Sequence, residues 1–355
     1  MPLPLAEIRS AVDTLRDPEF DRTFGELRYV KSVDEIPGGV RVQIVLPTPA
    51  YPQQERITRL VNDAVARTPG TGNVDVAISS EIRGKNAGAS VGLSIKNIIA
   101  VGSGKGGVGK STIATALAYG LKHFGASVGL MDADVYGPSV PHMVGAHGQP
   151  AIRQIPLDDG RVMERIIPIE ADGLRLMSMG FMLREDQAVI WCGPMLHKAL
   201  TQFLQQTEWG QLDYLIIDMP PGTGDVAITL SQMVGLAGAI VVCTPQQVAL
   251  LDAVKAINMY RTVKIPILGM VENMSGDIFG RGGAQQKAKE LGIPFLGEVP
   301  SEATIRIKGD EGRMSALFSE NNPSRAPLEH VTSRAALELV KQLLTAPSMP
   351  TLEII

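Results

Sequence analysis

The stretch NIIAVGSGKGGVGKST, residues 97–112, decides the fold. Ile98, Ile99, Ala100 and Val101 form an apolar run the length of a buried strand, a glycine-rich turn with two lysines follows, and Ile113, Ala116, Leu117 and Tyr119 recur at helical spacing. Gly104, Gly109, Lys110 and Ser111 satisfy the G-x-x-x-x-G-K-[ST] spacing in the strand, loop and helix context that gives it meaning. Glycines allow the backbone to curl, so that the N–H groups of a loop from Gly104 through Lys105, Gly106, Gly107, Val108 and Gly109 to Thr112 converge on a β-phosphate. The helix N-terminus behind the loop adds its positive dipole end. Lys110 is then placed to neutralise the outer phosphates, and the Ser111 hydroxyl to ligate Mg²⁺.

The whole chain bounds what surrounds this loop. With 355 residues, 45% hydrophobic and 20% charged, it is long enough for one large core and a smaller domain. A net charge of -4 gives no global attraction to nucleic acid or anionic lipid. No apolar run approaches the ~20 residues of a membrane span, and MPLPLAEIRS lacks the basic start and hydrophobic stretch of a signal peptide. The expectation is a cytoplasmic protein, and two cysteines, Cys192 and Cys243, suit a reducing compartment better than a disulfide framework.

Residues 1–83 read as a small α+β domain in the order α, β, β, α, β. A helix carries Leu5, Ile8, Val12 and Leu15, strands run over Leu27–Val33 and Val40–Leu46 about Gly38-Gly39, a second helix carries Ile57, Leu60, Val61 and Val65, and Val74, Val76 and Ile78 alternate as a last strand. Small and polar residues from Gly84 mark a linker over 84–96. Over 97–346 strands and helices alternate, which predicts an α/β, doubly wound, mostly parallel sheet, with residues 347–355 as a tail. Strand candidates are Ile98–Val101, Val128–Met131, Leu174–Met177, Tyr214–Ile217, Ala239–Val242, Ile267–Val271 and Phe295–Val299. The stretch 145–161 shows no periodicity, and the last helix, Leu328–Leu344, carries an apolar stripe suited to core packing.

Ligands in such folds bind at the carboxyl ends of the strands. There one strand ends in Asp132-Ala133-Asp134, and another ends in Asp218 followed by Pro220-Pro221-Gly222. An apolar strand ending in Asp is the Walker B arrangement, so Asp218 is the candidate second Mg²⁺ ligand and Gly222 a donor to a γ-phosphate. Asp134 is the candidate to orient or deprotonate the attacking water, with Asp132 behind it. Asn273 is placed either to read an adenine edge or to form a turn.

KGGVGKST with its additional Lys105, DADVYGPS at 132–139, DMPPGTGD at 218–225 and VENMS at 271–275 resemble the Mrp/ApbC-type P-loop ATPases of iron-sulfur cluster assembly, relatives of MinD, ParA and the nitrogenase iron protein. Asp17-Pro18-Glu19 and TPAYP at 48–52 are similar to the small iron-sulfur-assembly domain often fused in front of them. The resemblance implies a Mg²⁺-dependent homodimeric ATPase in which Lys105 reaches the partner's nucleotide, and in which Lys105, Lys110, Asp134 and Asp218 are catalytic. It also implies an iron-sulfur cluster delivered to apoprotein clients or assembly proteins. The net charge and the lack of a basic amphipathic terminal helix point to no nucleic acid or membrane partner.

Two departures stand out. Cluster-carrying members place a C-x-x-C pair shortly after ENMS, and this chain continues Gly276-Asp277-Ile278-Phe279-Gly280. The small domain usually has cysteine where this chain has Tyr51. Four ligands, mostly thiolates, hold such a cluster. Cys192, in Trp191-Cys192-Gly193-Pro194, is the one candidate, and one Cys192 from each of two chains supplies two thiolates. The five histidines have no ligand spacing, and no G-x-S-x-G elbow supports a hydrolase triad. Two readings therefore stand: a cluster carrier with an altered site, and a cluster-free, nucleotide-switched partner-binding ATPase of the MinD/ParA type.

Overall fold

The computed structural model describes residues 3–84, 86–88, 92–156, 162–182, 193–222 and 224–345. They fall into two compact units, one of residues 3–83 with 340–345 and the other of residues 84–339.

The first unit contains α1 (Leu5–Asp13), α2 (Phe24–Leu27), β1 (Val30–Ile36), β2 (Gly39–Leu46), α3 (Gln54–Ala66) and β3 (Asn73–Ser80). β2 lies between an antiparallel β1 and a parallel β3. Ile8 and Val12 of α1 and Ile57, Val61 and Val65 of α3 are buried, as are Val40, Val42, Ile44 and Leu46 of β2. The first strand starts later than the sequence pattern predicts. Thr23 and Glu26 form a reciprocal capping box that winds Phe24–Leu27 into a helical turn, and Arg28 at φ 55° closes it. Tyr51, in the position of the usual cysteine, is buried, and its hydroxyl donates to Asp17 Oδ2 at 2.8 Å. Asp17 Oδ1 accepts from the backbone N–H of Glu19 and Phe20 at 2.8 and 2.9 Å. Burial, and then the Asp17 carboxylate, push the phenol's pKa upward, so Tyr51 is a neutral donor sealed in the fold.

The second unit runs β4 (Ile95–Gly102), α4 (Lys110–His123), β5 (Val128–Asp132), α5 (Val140–Met143), β6 (Ile152–Pro156), β7 (Val162–Ile166), β8 (Ile169–Ala171) and β9 (Leu174–Ser178). It continues with α6 (Gly193–Gln206), β10 (Leu212–Asp218), α7 (Gly224–Met233), β11 (Gly238–Cys243), α8 (Gln247–Thr262) and β12 (Ile267–Ser275). α9 (Gly283–Leu291), β13 (Phe295–Pro300), α10 (Ala303–Asp310), α11 (Ala316–Ser319) and α12 (Arg325–Thr345) complete the order. The sheet order is β13-β12-β11-β4-β10-β5-β9-β8, parallel except for β8 at the edge. β6 and β7 pair as a separate antiparallel hairpin; β6 falls in the 145–161 stretch that lacked periodicity, of which 157–161 lie outside the described residues, and β7 follows it.

Central strands buried on both faces need continuous apolar runs, and Ile98–Val101 and Leu215–Ile217 supply them. Lys96 Nζ, 2.8 Å from Asp213 Oδ1, and the Ser127 N–H, 2.9 Å from Asp213 Oδ2, tie the amino ends of β4, β10 and β5 together. Residues 84, 86–88 and 92–96 belong to this unit: the Ala87 N–H bonds the Lys96 carbonyl, and Ala87 and Leu93 are buried. Among the described residues no helix is long and apolar enough to cross a membrane.

Removing the Tyr51 hydroxyl strands a buried carboxylate oxygen. Tyr51→Phe is expected to lower stability by about 1.5–3 kcal/mol, the range for a hydrogen bond to a charged group, as read from the denaturation midpoint of the full chain. An unchanged midpoint would mean that Asp17 needs no such partner.

Candidate nucleotide site

β4 ends at Gly102 and α4 starts at Lys110, so the loop between them lies at the carboxyl edge of the sheet, at the topological switch where neighbours β10 and β11 flank β4. Gly107 and Gly109 sit at φ 79° and 77°, which L side chains rarely adopt. A Cβ on Gly104 would stand 2.0 Å from the Asp252 carbonyl oxygen in α8, so the loop is seated directly against backbone. On its other flank the Asn273 Nδ2 donates to the Val108 carbonyl at 2.9 Å. Asn273, predicted to read a base edge or form a turn, here clamps the loop from the end of β12. Gly222 also differs from its predicted role: its N–H donates to the Ser103 carbonyl at 3.1 Å and is therefore committed to the loop rather than open to a phosphate.

The loop's lysine meets the strand ends. Lys110 Nζ lies 2.7 Å from Asp218 Oδ1, 3.0 Å from Ser111 Oγ and 3.5 Å from Asp134 Oδ2. Lys110 is only 6% exposed and Asp218 fully buried. The second oxygen of Asp218, Oδ2, has no hydrogen-bond partner among the described residues. Burial pushes the Asp218 carboxyl above the usual range, with the Lys110 ammonium opposing that rise. Asp132, opposite Asp218 in the β5/β10 register, is pushed up to about 8 by burial and then by the Asp218 charge. Asp218 and Asp134 thus share one ammonium in a dry site, with Asp132 behind them. That excess, the free Asp218 oxygen and the adjacent Ser111 hydroxyl fit a hard divalent cation with oxygen ligands.

Asp134 Oδ1 accepts from the N–H groups of Tyr136 and Gly137 at 3.2 and 3.3 Å, which orients its carboxylate at the mouth of the loop. Lys105 is half-buried, and its ammonium has no partner among the described residues. Beyond Thr112 opens a cavity of about 390 Å³ lined by His142, Asn273, Met274, Pro300 and Glu302, among others, within the range of small-ligand sites. Of these only Asn273 is singled out by sequence motif. Met274, Pro300 and Glu302 arrive because β12 and β13 end beside the loop, and His142 comes from α5.

No comparable site exists for iron-sulfur ligation among the described residues, where no group of three or more His, Cys, Asp or Glu side chains converges. Cys243 is buried at the end of β11, its Sγ 3.8 Å from the Val271 carbonyl. Burial and then Glu272 push its thiol up to about 12. Cys192 lies outside the described residues. The turn after ENMS closes through paired backbone bonds between Gly276 and Gly280, with Ile278 82% exposed at its tip. Since thiolate is the reactive form and the raised pKa leaves Cys243 protonated until far above neutrality, Cys192→Ser protein is expected to show no thiol titre at pH 8 with an aromatic disulfide reagent until it is unfolded. A full equivalent reacting in the native state would contradict the burial of Cys243.

Comparison with known proteins agrees with this geometry. Residues 94–336 match the family model of the NUBPL iron-transfer P-loop NTPase, and residues 5–77 match that of an iron-sulfur cluster assembly protein. An iron-sulfur cluster carrier protein of Synechocystis is 42% identical over 336 residues, covering 91% of this chain and 94% of the relative. An iron-sulfur cluster transfer protein NUBPL of Dictyostelium discoideum is 44% identical over 261 residues, covering 70% of this chain and 77% of the relative. A nucleotide-binding protein of Archaeoglobus fulgidus, solved in complex with ADP, superposes with a TM-score of 0.54 at 35% identity over 66% of this chain and 91% of its own. The cell division ATPase MinD of Pyrococcus furiosus shares the fold, with a TM-score of 0.51 at 21% identity, over 67% of this chain and 97% of that one. The chain therefore belongs to the NUBPL-type family of iron-transfer P-loop NTPases.

Proposed function

We propose that this chain is a Mg²⁺-dependent ATPase that works as a pair of identical chains and couples hydrolysis to the handing of iron-sulfur clusters to apoprotein clients. The observation that carries the reading is the position of Lys110 Nζ between Asp218, Ser111 and Asp134, at the carboxyl edge of a sheet whose fold is shared with a protein solved in complex with ADP. On ATP binding, Lys110 exchanges its Asp218 contact for the outer phosphates. Asp218 and Ser111 would hold a divalent cation, which would supply charge to offset that developing on the phosphate oxygens. Asp134, held by two backbone N–H groups, orients the attacking water or accepts its proton. Lys105, with no partner among the described residues, is free to reach the phosphates of the second chain. The cavity lined by His142, Asn273 and Pro300 takes the base.

The buried Cys243 and the absence of a converging ligand set among the described residues favour a second arrangement of the same ATPase, in which nucleotide closes and opens a protein-binding pair without a cluster. Anaerobic reconstitution with iron and sulfide separates the two. Stoichiometric iron and sulfide lost in Cys192→Ser supports carriage through Cys192 with ligands from outside the chain, and no cluster in the wild type supports the switch. For the ATPase itself, Lys110→Ala is expected to weaken ATP binding at least about 100-fold by calorimetric titration. Asp134→Ala is expected to lower kcat by about 100-fold or more with affinity retained. Wild-type affinity in Lys110→Ala, or wild-type turnover in Asp134→Ala, would overturn the respective assignment.

A further inference from the structure

The parallel register continues the row of strand ends past the carboxylates: Asp218 of β10 stands opposite Asp132 of β5, and Asp132 opposite Ser178 of β9. Residues paired in this way project to the same face of the sheet. Ser178 is fully buried, and its hydroxyl is used in both directions. It donates to Asp132 Oδ2 at 3.0 Å and accepts from the Gly180 N–H at 2.9 Å. Asp132 in turn grips both ends of the loop that carries Asp134, through the Asp134 N–H to Oδ1 at 3.1 Å and the Val140 N–H to Oδ2 at 3.3 Å. Packing repeats the linkage independently. A Cβ added to Gly180 would lie 3.3 Å from Pro138 Cβ and 3.4 Å from Pro141 Cγ, so the 3₁₀ turn Met179–Met182 lies directly against the far end of that loop.

We propose that Ser178 is a positioning residue for hydrolysis: its hydroxyl, bridging Asp132 and Gly180, fixes the 133–140 loop so that Asp134 faces the loop lysine. The proposal rests on the ATPase reading above. Strands β5 and β9 are already paired by backbone from Gly129 and Arg175 to Asp132 and Ser178, so the hydroxyl is not needed to join them. What depends on it is the loop. Without it, Asp132 Oδ2 keeps only the longer bond from Val140, and the half-buried Gly180 N–H loses its acceptor. The phosphate loop itself, set by Gly107, Gly109 and Asn273, is untouched.

The test compares Ser178→Ala and Ser178→Thr in the full chain by steady-state ATP hydrolysis, ATP affinity, and amide exchange of residues 133–140 read by mass spectrometry. Ser178→Ala is expected to lower kcat about 10-fold or more, to leave ATP affinity within about threefold, and to speed exchange across the loop. Ser178→Thr, which keeps the hydroxyl, is expected to recover most of the rate. Unchanged kcat and exchange in Ser178→Ala would overturn the proposal, as would equal losses of affinity and rate in both variants, the pattern of a general packing defect. A wild-type chain that neither binds nor hydrolyses ATP would overturn the ATPase reading, while the exchange measurement would still decide whether Ser178 holds the loop.

Discussion

The contact between Lys110 and Asp218 constrains everything else in the second unit. It joins the first residue of a helix to the last residue of a strand 108 positions away, with both groups withdrawn from water. A buried ion pair gains little net stability, because the desolvation cost rivals the attraction, and breaking one partner away leaves a charge stranded. Such a pair is more informative as a holding arrangement. The ammonium is kept at the phosphate loop, oriented, until a more highly charged partner arrives. Asp134 at 3.5 Å and the partnerless oxygen of Asp218 add to the same imbalance, which a polyphosphate with its divalent cation would resolve by giving each charged group a partner.

The sheet makes that encounter possible. β4 lies between β10 and β11, so the loop leaving β4 is bracketed by the Walker-type strand on one side and by α8 and the end of β12 on the other. Close seating of Gly104 against the α8 backbone and of Gly109 against Asn273 leaves no room for side chains, so both positions are glycine for packing, and Gly109 at φ 77° for conformation as well. Further out, Asp132 and Ser178 extend the row of polar strand ends, so the groups that hold charge and the groups that hold the loop stand in one register.

Much of this is legible in the sequence because central parallel strands leave an unmistakable apolar run. All seven runs over 97–299 are strands, with ends within a few residues of the pattern. The β6/β7 hairpin is not legible. Arg153, Gln154, Glu164 and Arg165 give it a polar texture, and most of its side chains are exposed, so no apolar alternation marks it. α10, with no fully buried residue, is silent for the same reason. At the site, the convergence of Lys110, Ser111, Asp134 and Asp218 is readable because it follows from spacing and strand position. The clamp by Asn273, the loop bond of Gly222 and the bridge through Ser178 are contacts between segments distant in sequence, and no local pattern encodes them.

The chain carries the phosphate-loop sequence with acidic strand ends beside it, while Tyr51 is bonded to a carboxylate and the turn after ENMS has Ile278 at its tip rather than thiols. Metal-linked nucleotide binding is thus the central claim. The most direct test is ATP affinity in the presence of Mg²⁺ and in excess chelator, for the wild type and for Asp218→Asn. The expected result is that Mg²⁺ tightens binding to the wild type by about tenfold or more and leaves the variant nearly indifferent to the metal. An Asp218→Asn chain that retains the full Mg²⁺ effect would contradict the account, because the buried carboxylate at the end of β10 would then have no part in holding the metal.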